Sequence, residues 1–230
     1  MIENEVKQIR NMEKVQNVLL SVFDKTNLDK LVAGLIEVNP QIQFFSTGGT
    51  FRKVKEILGS NWQKYLKSVS EYTGQPEMDG GLVKTLDYRI YLGLLNEPFN
   101  SSHNSDIERL DAASFDMVVV NLYPFAEASG KEGSTPENAR SNIDIGGPCM
   151  LRATAKNYIR VLPLCFPADY MTILQELKEN DGYTCLKTRY EQARKAFGHT
   201  AAYDAAISEY LIKTEYTVIK DTYSFNGEEG

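Results

Sequence analysis

Val18-Leu19-Leu20-Ser21-Val22-Phe23 is followed by Leu28, Leu31, Val32, Leu35 and Ile36. The first stretch is a continuous apolar run of strand length, the pattern of a strand covered on both faces. The second set falls at i, i+3, i+4, i+7 and i+8, one face of a helix packed back on that strand. The rhythm repeats: Ile42-Gln43-Phe44-Phe45-Ser46 reads as a strand, and 50–58 as a helix after the Gly48-Gly49 turn. Met117-Val118-Val119-Val120-Asn121-Leu122 is the strongest strand signal, and Arg160-Val161-Leu162-Pro163-Leu164 a later one. A helix is expected to begin near Gly146-Gly147-Pro148, where proline is tolerated in the first turn. Residues 169–177 and 188–211 also read as helical, 96–105 and 127–134 as polar loops. The fold class is α/β, a three-layer architecture with a mostly parallel β-sheet flanked by helices. Residues 1–14 form a charged lead, 15–213 one domain, and 214–230 a tail.

Composition narrows the function classes. The chain has 230 residues, 42% hydrophobic and 24% charged, which suits a soluble globular domain. Twenty-five basic against thirty-one acidic side chains leave a net charge of −6. With no cluster of Lys or Arg, partnership with nucleic acid or an anionic membrane is not expected, whereas a single phosphate needs only a few cations and N–H groups. Cys149, Cys165 and Cys185 are odd in number and lack CxxC spacing, so neither a disulfide framework nor a zinc site is expected. The lead has no signal-peptide core and no apolar run is of membrane-spanning length, so a cytoplasmic setting is expected.

In a parallel α/β sheet, ligands bind beyond the C-terminal ends of the strands. The residues there are polar: Asp24-Lys25-Thr26 after the first strand, Ser46-Thr47-Gly48-Gly49-Thr50 after the second, Asn121-Leu122-Tyr123 after the third. The second of these places hydroxyls and glycines at a helix N-terminus, the arrangement of a phosphate cradle. The same residues also suit plain capping and turning. Lys25 has no capping role and favours the cradle. Lys84 and Thr85 follow Gly80-Gly81 in a loop. Asp144 suits an ordinary helix cap, Lys156 a helix C-terminal charge, and Tyr123 core packing. His103 in a polar loop and His199 in a helix invite neither metal nor nucleophile chemistry. The absence of GxGxxG, GxxxxGK[ST] and HExxH argues against dinucleotide binding, P-loop hydrolysis and zincin chemistry.

Taken together, Ser21-Val22-Phe23-Asp24-Lys25-Thr26, Phe45-Ser46-Thr47-Gly48-Gly49-Thr50, Val83-Lys84-Thr85-Leu86, Asn121-Leu122-Tyr123-Pro124-Phe125, Asn142-Ile143-Asp144-Ile145-Gly146-Gly147-Pro148, Ala155-Lys156-Asn157 and His199-Thr200-Ala201-Ala202-Tyr203-Asp204 closely resemble the inosine monophosphate (IMP) cyclohydrolase domain. Val69-Ser70-Glu71-Tyr72-Thr73-Gly74 with Pro76-Glu77-Met78 adds to the match. The resemblance implies a methylglyoxal-synthase-like, Rossmann-like fold. It implies closure of the purine ring of 5-formamidoimidazole-4-carboxamide ribotide to IMP with loss of water, and no metal or organic cofactor. By carry-over, Ser21, Lys25, Ser46, Thr47, Gly48, Thr50, Lys84 and Thr85 hold the phosphate and ribose. Asn121, Tyr123, Asp144, Gly146 and Lys156 line the base end, with Lys84, Tyr123, Asp144 and Lys156 as the catalytic set. Asp144 takes the carboxamide proton, and the lysines with Tyr123 stabilise the departing oxygen. A homodimer and a separate transformylase supplying the nucleotide substrate are expected from the same resemblance.

The chain departs from the family pattern at Leu82, where an Arg is usual, at Asp87, where a His is usual, and at Tyr91-Leu92-Gly93 in place of His-Gly-Gly. One lost charge-assisted phosphate contact is worth ~1.5–3 kcal/mol and bears on affinity rather than on ring closure. Two rivals share the fold: a nucleotide-sensing module, like that of carbamoyl phosphate synthetase, and a catalytically silent relative. Methylglyoxal synthase chemistry needs a different Asp and His arrangement.

Overall fold

A computed structural model describes residues 5–76 and 84–225. The elements run β1 (Met12–Lys14), β2 (Asn17–Val22), α1 (Leu28–Val38), β3 (Gln43–Ser46), α2 (Gly48–Leu58), α3 (Trp62–Tyr65), β4 (Leu66–Ser68), α4 (Val69–Thr73), α5 (Tyr88–Leu95) and α6 (Ser101–Arg109). They continue β5 (Met117–Asn121), α7 (Phe125–Ser129), α8 (Pro136–Ser141), α9 (Gly146–Lys156), β6 (Leu162–Leu164), α10 (Tyr170–Glu179), β7 (Tyr183–Cys185), α11 (Leu186–Lys213) and α12 (Tyr216–Thr222).

The expected βα units form, and their strands assemble into a five-stranded sheet of order β4-β3-β2-β5-β6 with every pair parallel. Alternation along the central strands makes two cores. Val18, Leu20 and Val22 of β2, with Met117 and Val119 of β5, pack under α1, α2 and α10. Leu19, Val118 and Val120 point the other way, under α5, α9 and α11. Each face buries its apolar side chains at ~25 cal/mol per Å² of surface removed from water, the main force holding the three layers together.

Four sequence readings change. The 96–105 stretch expected as a loop contains the start of α6, because Asn100 accepts hydrogen bonds from the N–H groups of Ser102 and His103 and so caps a helix that has no buried face. Residues 127–129 of the second expected loop belong to α7. The tail contains α12. The charged lead includes β1, which pairs antiparallel with β7. It is held by the fully buried Arg189, whose guanidinium donates to the carbonyls of Arg10, Asn11, Tyr158, Ile159 and Thr184. Gly80-Gly81, Leu82, Val83 and Glu77-Met78 lie outside the described residues.

Candidate active site

The chain runs from β2 to β3 and β4 on one side, and returns to β5 and β6 on the other. Such a reversal opens a crevice beyond the strand ends. A cavity of about 240 Å³ lies there. Ser21, Lys25, Thr47, Gly48, Thr50, Lys84, Thr85, Asn121, Tyr123, Asp144 and Gly146 all line it, together with Phe23, Ser141, Ile143 and Met150. Of the residues expected from the sequence, Ser46 and Lys156 are not on this wall.

One end is the N-terminus of α2. Gly48 opens the helix at φ +54°, a conformation that costs an L side chain ~1–2 kcal/mol. Its missing side chain also makes room for Lys84: a Cβ on Gly48 would stand 2.9 Å from Lys84 Nζ. The Lys84 ammonium therefore sits directly over the helix N-terminus, where N–H groups and the positive end of the helix dipole already favour an anion. Lys25 approaches from β2, its Nζ held by the carbonyls of Phe23 (3.2 Å) and Val22 (3.4 Å). Two of the expected hydroxyls are engaged elsewhere. Thr50 Oγ1 accepts from the Val22 N–H and donates to the Val22 carbonyl, both at 3.0 Å, and buried Ser46 donates to the Leu20 carbonyl at 2.8 Å. Both stitch α2 and β3 to β2, which aims the helix N-terminus at the cavity.

The other end is the N-terminus of α9. Asp144 Oδ1 accepts from the Gly147 N–H at 2.9 Å, so the carboxylate does cap the helix, yet it also faces the cavity. Gly147 has no room for a side chain, since a Cβ would come within 2.5 Å of Asp144 Oδ2. Burial pushes the Asp144 carboxyl above the ordinary aspartate value of 3.8, while the N–H groups of Gly147 and Tyr123 pull it part of the way back. Thr85 joins the two ends: its hydroxyl lies 2.9 Å from where a Cβ of Gly146 would be, next in sequence to Lys84. Tyr123 is 46% exposed, so it is not a core residue.

Two residues act through their neighbours. Asn121 ends β5 opposite Val22. Its Oδ1 accepts from the N–H groups of Phe23 (2.7 Å) and Asp24 (2.8 Å), and its Nδ2 donates to the Asp24 carbonyl (2.9 Å). Its side chain thus fixes the β2–α1 turn. Tyr203 of α11 was given no role by the sequence. Its hydroxyl accepts from the Asp144 N–H at 2.8 Å and donates to the Asn142 carbonyl at 3.2 Å, clamping the segment that carries the carboxylate. The only signal for it was its place in the His199-Thr200-Ala201-Ala202-Tyr203-Asp204 block.

Lys156 is the last residue of α9 and exposed. Ten residues of helical rise, ~15 Å, separate it from Gly146. His103 lies on α6, where its Nδ1 accepts from the Glu97 N–H at 3.2 Å, and His199 packs edge-on against Phe166. Asp87 caps α5 by accepting from the Arg89 N–H at 2.8 Å. Among the described residues there is no group of three or more His, Cys, Asp or Glu side chains able to hold a metal ion, and no helix long and apolar enough to cross a membrane.

The family model described as MGS-like domain matches residues 27–149, and that described as AICARFT/IMPCHase bienzyme matches 154–229. The bifunctional purine biosynthesis protein PurH of Magnetococcus marinus is 46% identical over 87% of this chain, and that of Bacillus subtilis 45% identical over 86%. The chain spans 36% and 37% of the length of these two relatives. The crystal structure of ForH superposes with a TM-score of 0.74 at 31% identity, covering 85% of this chain and 96% of that one. The sheet, the cavity at its reversal point and these matches together establish that the chain belongs to the MGS-like domain family, as a counterpart of the IMP cyclohydrolase part of the PurH bienzymes.

Proposed function

We propose that the cavity closes the six-membered ring of 5-formamidoimidazole-4-carboxamide ribotide, giving IMP and water. The observation that carries this reading is the polarity of the cavity. A helix N-terminus with Lys84 and Lys25 lies at one end, and a half-buried carboxylate whose proton affinity is raised lies at the other. The first suits a 5′-phosphate, and the second a group that must take a proton.

A carboxamide nitrogen is a poor nucleophile, so removing its proton as it attacks the formyl carbon is the useful catalytic act, and Asp144 performs it. A C–N bond forms and the formyl C=O becomes a carbinol C–OH; that oxygen then leaves as water on a second proton while the former formamido nitrogen gives up its proton, so the broken C–O bond is replaced by a ring C=N. Tyr123, on the wall of the same cavity, is the donor for that oxygen, while Lys84 stays with the phosphate at the α2 N-terminus. Nucleophile and electrophile share one ring, so clamping the phosphate and freezing the reactive rotamer supplies much of the rate. Lys156, exposed at the far end of α9, is assigned to the expected homodimer, as a group offered to the second copy's cavity.

A spectrophotometric assay of IMP formation by the purified protein tests the reading. Ring closure no faster than in buffer refutes it in favour of a sensing or silent relative. The assignment of Lys156 is tested by mixing Asp144→Asn and Lys156→Ala, each expected to be inactive alone. Mixed dimers recover activity if one cavity takes its Lys156 from the other chain, and no recovery refutes that assignment.

A further inference from the structure

We infer that Phe23 is the platform on which the substrate's heterocycle stacks, a ring-recognising subsite at the mouth of the cavity. This rests on the cyclohydrolase reading above. Phe23 follows β2, lines the cavity and is 50% exposed. It lies edge-to-face with Tyr123, ring centroids 5.2 Å apart at 63°. Tyr123 is itself about half exposed on the same wall.

A half-exposed aromatic residue on the wall of a polar cavity offers apolar ring surface that a planar heterocycle can cover. The position also fits. Phe23 lies between the two ends of the cavity: Val22 just before it is bonded to Thr50 of α2, and its ring meets Tyr123, whose N–H donates to the Asp144 carboxylate. A ring stacked on it therefore keeps its phosphate toward Lys84 and its carboxamide toward the carboxylate.

The platform is held from two sides. Asn121 Oδ1 accepts the Phe23 N–H at 2.7 Å, and Lys25 Nζ donates to the Phe23 carbonyl at 3.2 Å. A surface aromatic has no need of that much backbone fixation. A stacking residue does, because an anchor ordered in advance loses less entropy when the ligand arrives.

The test compares two probes, IMP and ribose 5-phosphate, by calorimetry or equilibrium dialysis with wild type, Phe23→Ala, Phe23→Leu and Phe23→Tyr. Stacking on an aromatic side chain spans roughly five- to a hundredfold in affinity, and a half-exposed face belongs near the low end. Phe23→Ala is expected to weaken IMP binding about tenfold, Phe23→Leu at least threefold, and Phe23→Tyr less than twofold. Ribose 5-phosphate, which has no ring to stack, is expected to bind all four proteins alike. If IMP binds wild type and Phe23→Ala equally, or if both probes weaken together, the platform is refuted while the cyclohydrolase reading stands. If wild type binds ribose 5-phosphate but not IMP, the cyclohydrolase reading fails and takes the platform with it.

Discussion

Replacing Tyr203 by Phe removes one oxygen atom and changes little else, since the ring packs against Phe125 in the second core. The lost hydroxyl makes two hydrogen bonds, one from the Asp144 N–H and one to the Asn142 carbonyl. At ~0.5–1.5 kcal/mol net for each, the fold loses about 2 kcal/mol. For a domain of this size that lowers the melting temperature by roughly 4–8 °C. The effect on rate has a different origin. Without its clamp the 142–144 segment can settle elsewhere, and a misplacement of ~1 Å in a reacting group costs on the order of a hundredfold. The expected result is kcat reduced about ten- to a hundredfold, with KM changed less than threefold because the phosphate end is untouched. Steady-state kinetics at a temperature well below the melting transition separate this from instability. A variant that melts early but keeps the full kcat would show that Tyr203 only braces the fold, and the idea that it aims the carboxylate would be discarded.

Three further outcomes follow from the geometry. Asp144 must be ionised to take a proton and burial raises its pKa, so kcat/KM should fall with acidification through an inflection above 3.8, and Asp144→Asn should remove that limb together with most of kcat; an inflection at or below 3.8 contradicts the burial argument. Gly48→Ala should destabilise the fold by about 1 kcal/mol through its positive φ and raise KM about tenfold by displacing the Lys84 ammonium, measured by urea unfolding and initial rates. Arg189→Met leaves five backbone carbonyls without their donor, so about 3 kcal/mol of stability should be lost and the Met12–Lys14 strand should become the first site of limited proteolysis; a variant whose N-terminal strand stays protected argues against the arginine as its anchor.

The sheet and the location of the cavity were legible because they rest on local patterns. The run at 18–23 and the helical spacing at 28–36 make a βα unit whatever surrounds them, and a parallel sheet opens its crevice at the strand ends. The glycines at 48–49 and 146–147 mark helix starts for the same local reason. Helix α6 was hidden because hydrophobic periodicity detects a buried face, which α6 lacks, and its cap consists of a single asparagine.

What no local pattern could decide is which polar atoms are spent on the protein and which are offered to a ligand. Ser46 and Thr50 read as phosphate-binding hydroxyls, but β2 lies within 3.0 Å of both and takes their hydrogen bonds. Asn121 reads as a base contact, but the backbone of residues 23–24 occupies its side chain. Lys156 is twelve residues from Asp144 in the sequence, and only the straight run of α9 shows that the two stand apart. The partner of the Asp144 N–H comes from 59 residues away. A buried donor or acceptor must be satisfied by whatever the fold brings within about 3 Å. Sequence alone therefore named the chemical groups, and tertiary packing decided which of them face the cavity.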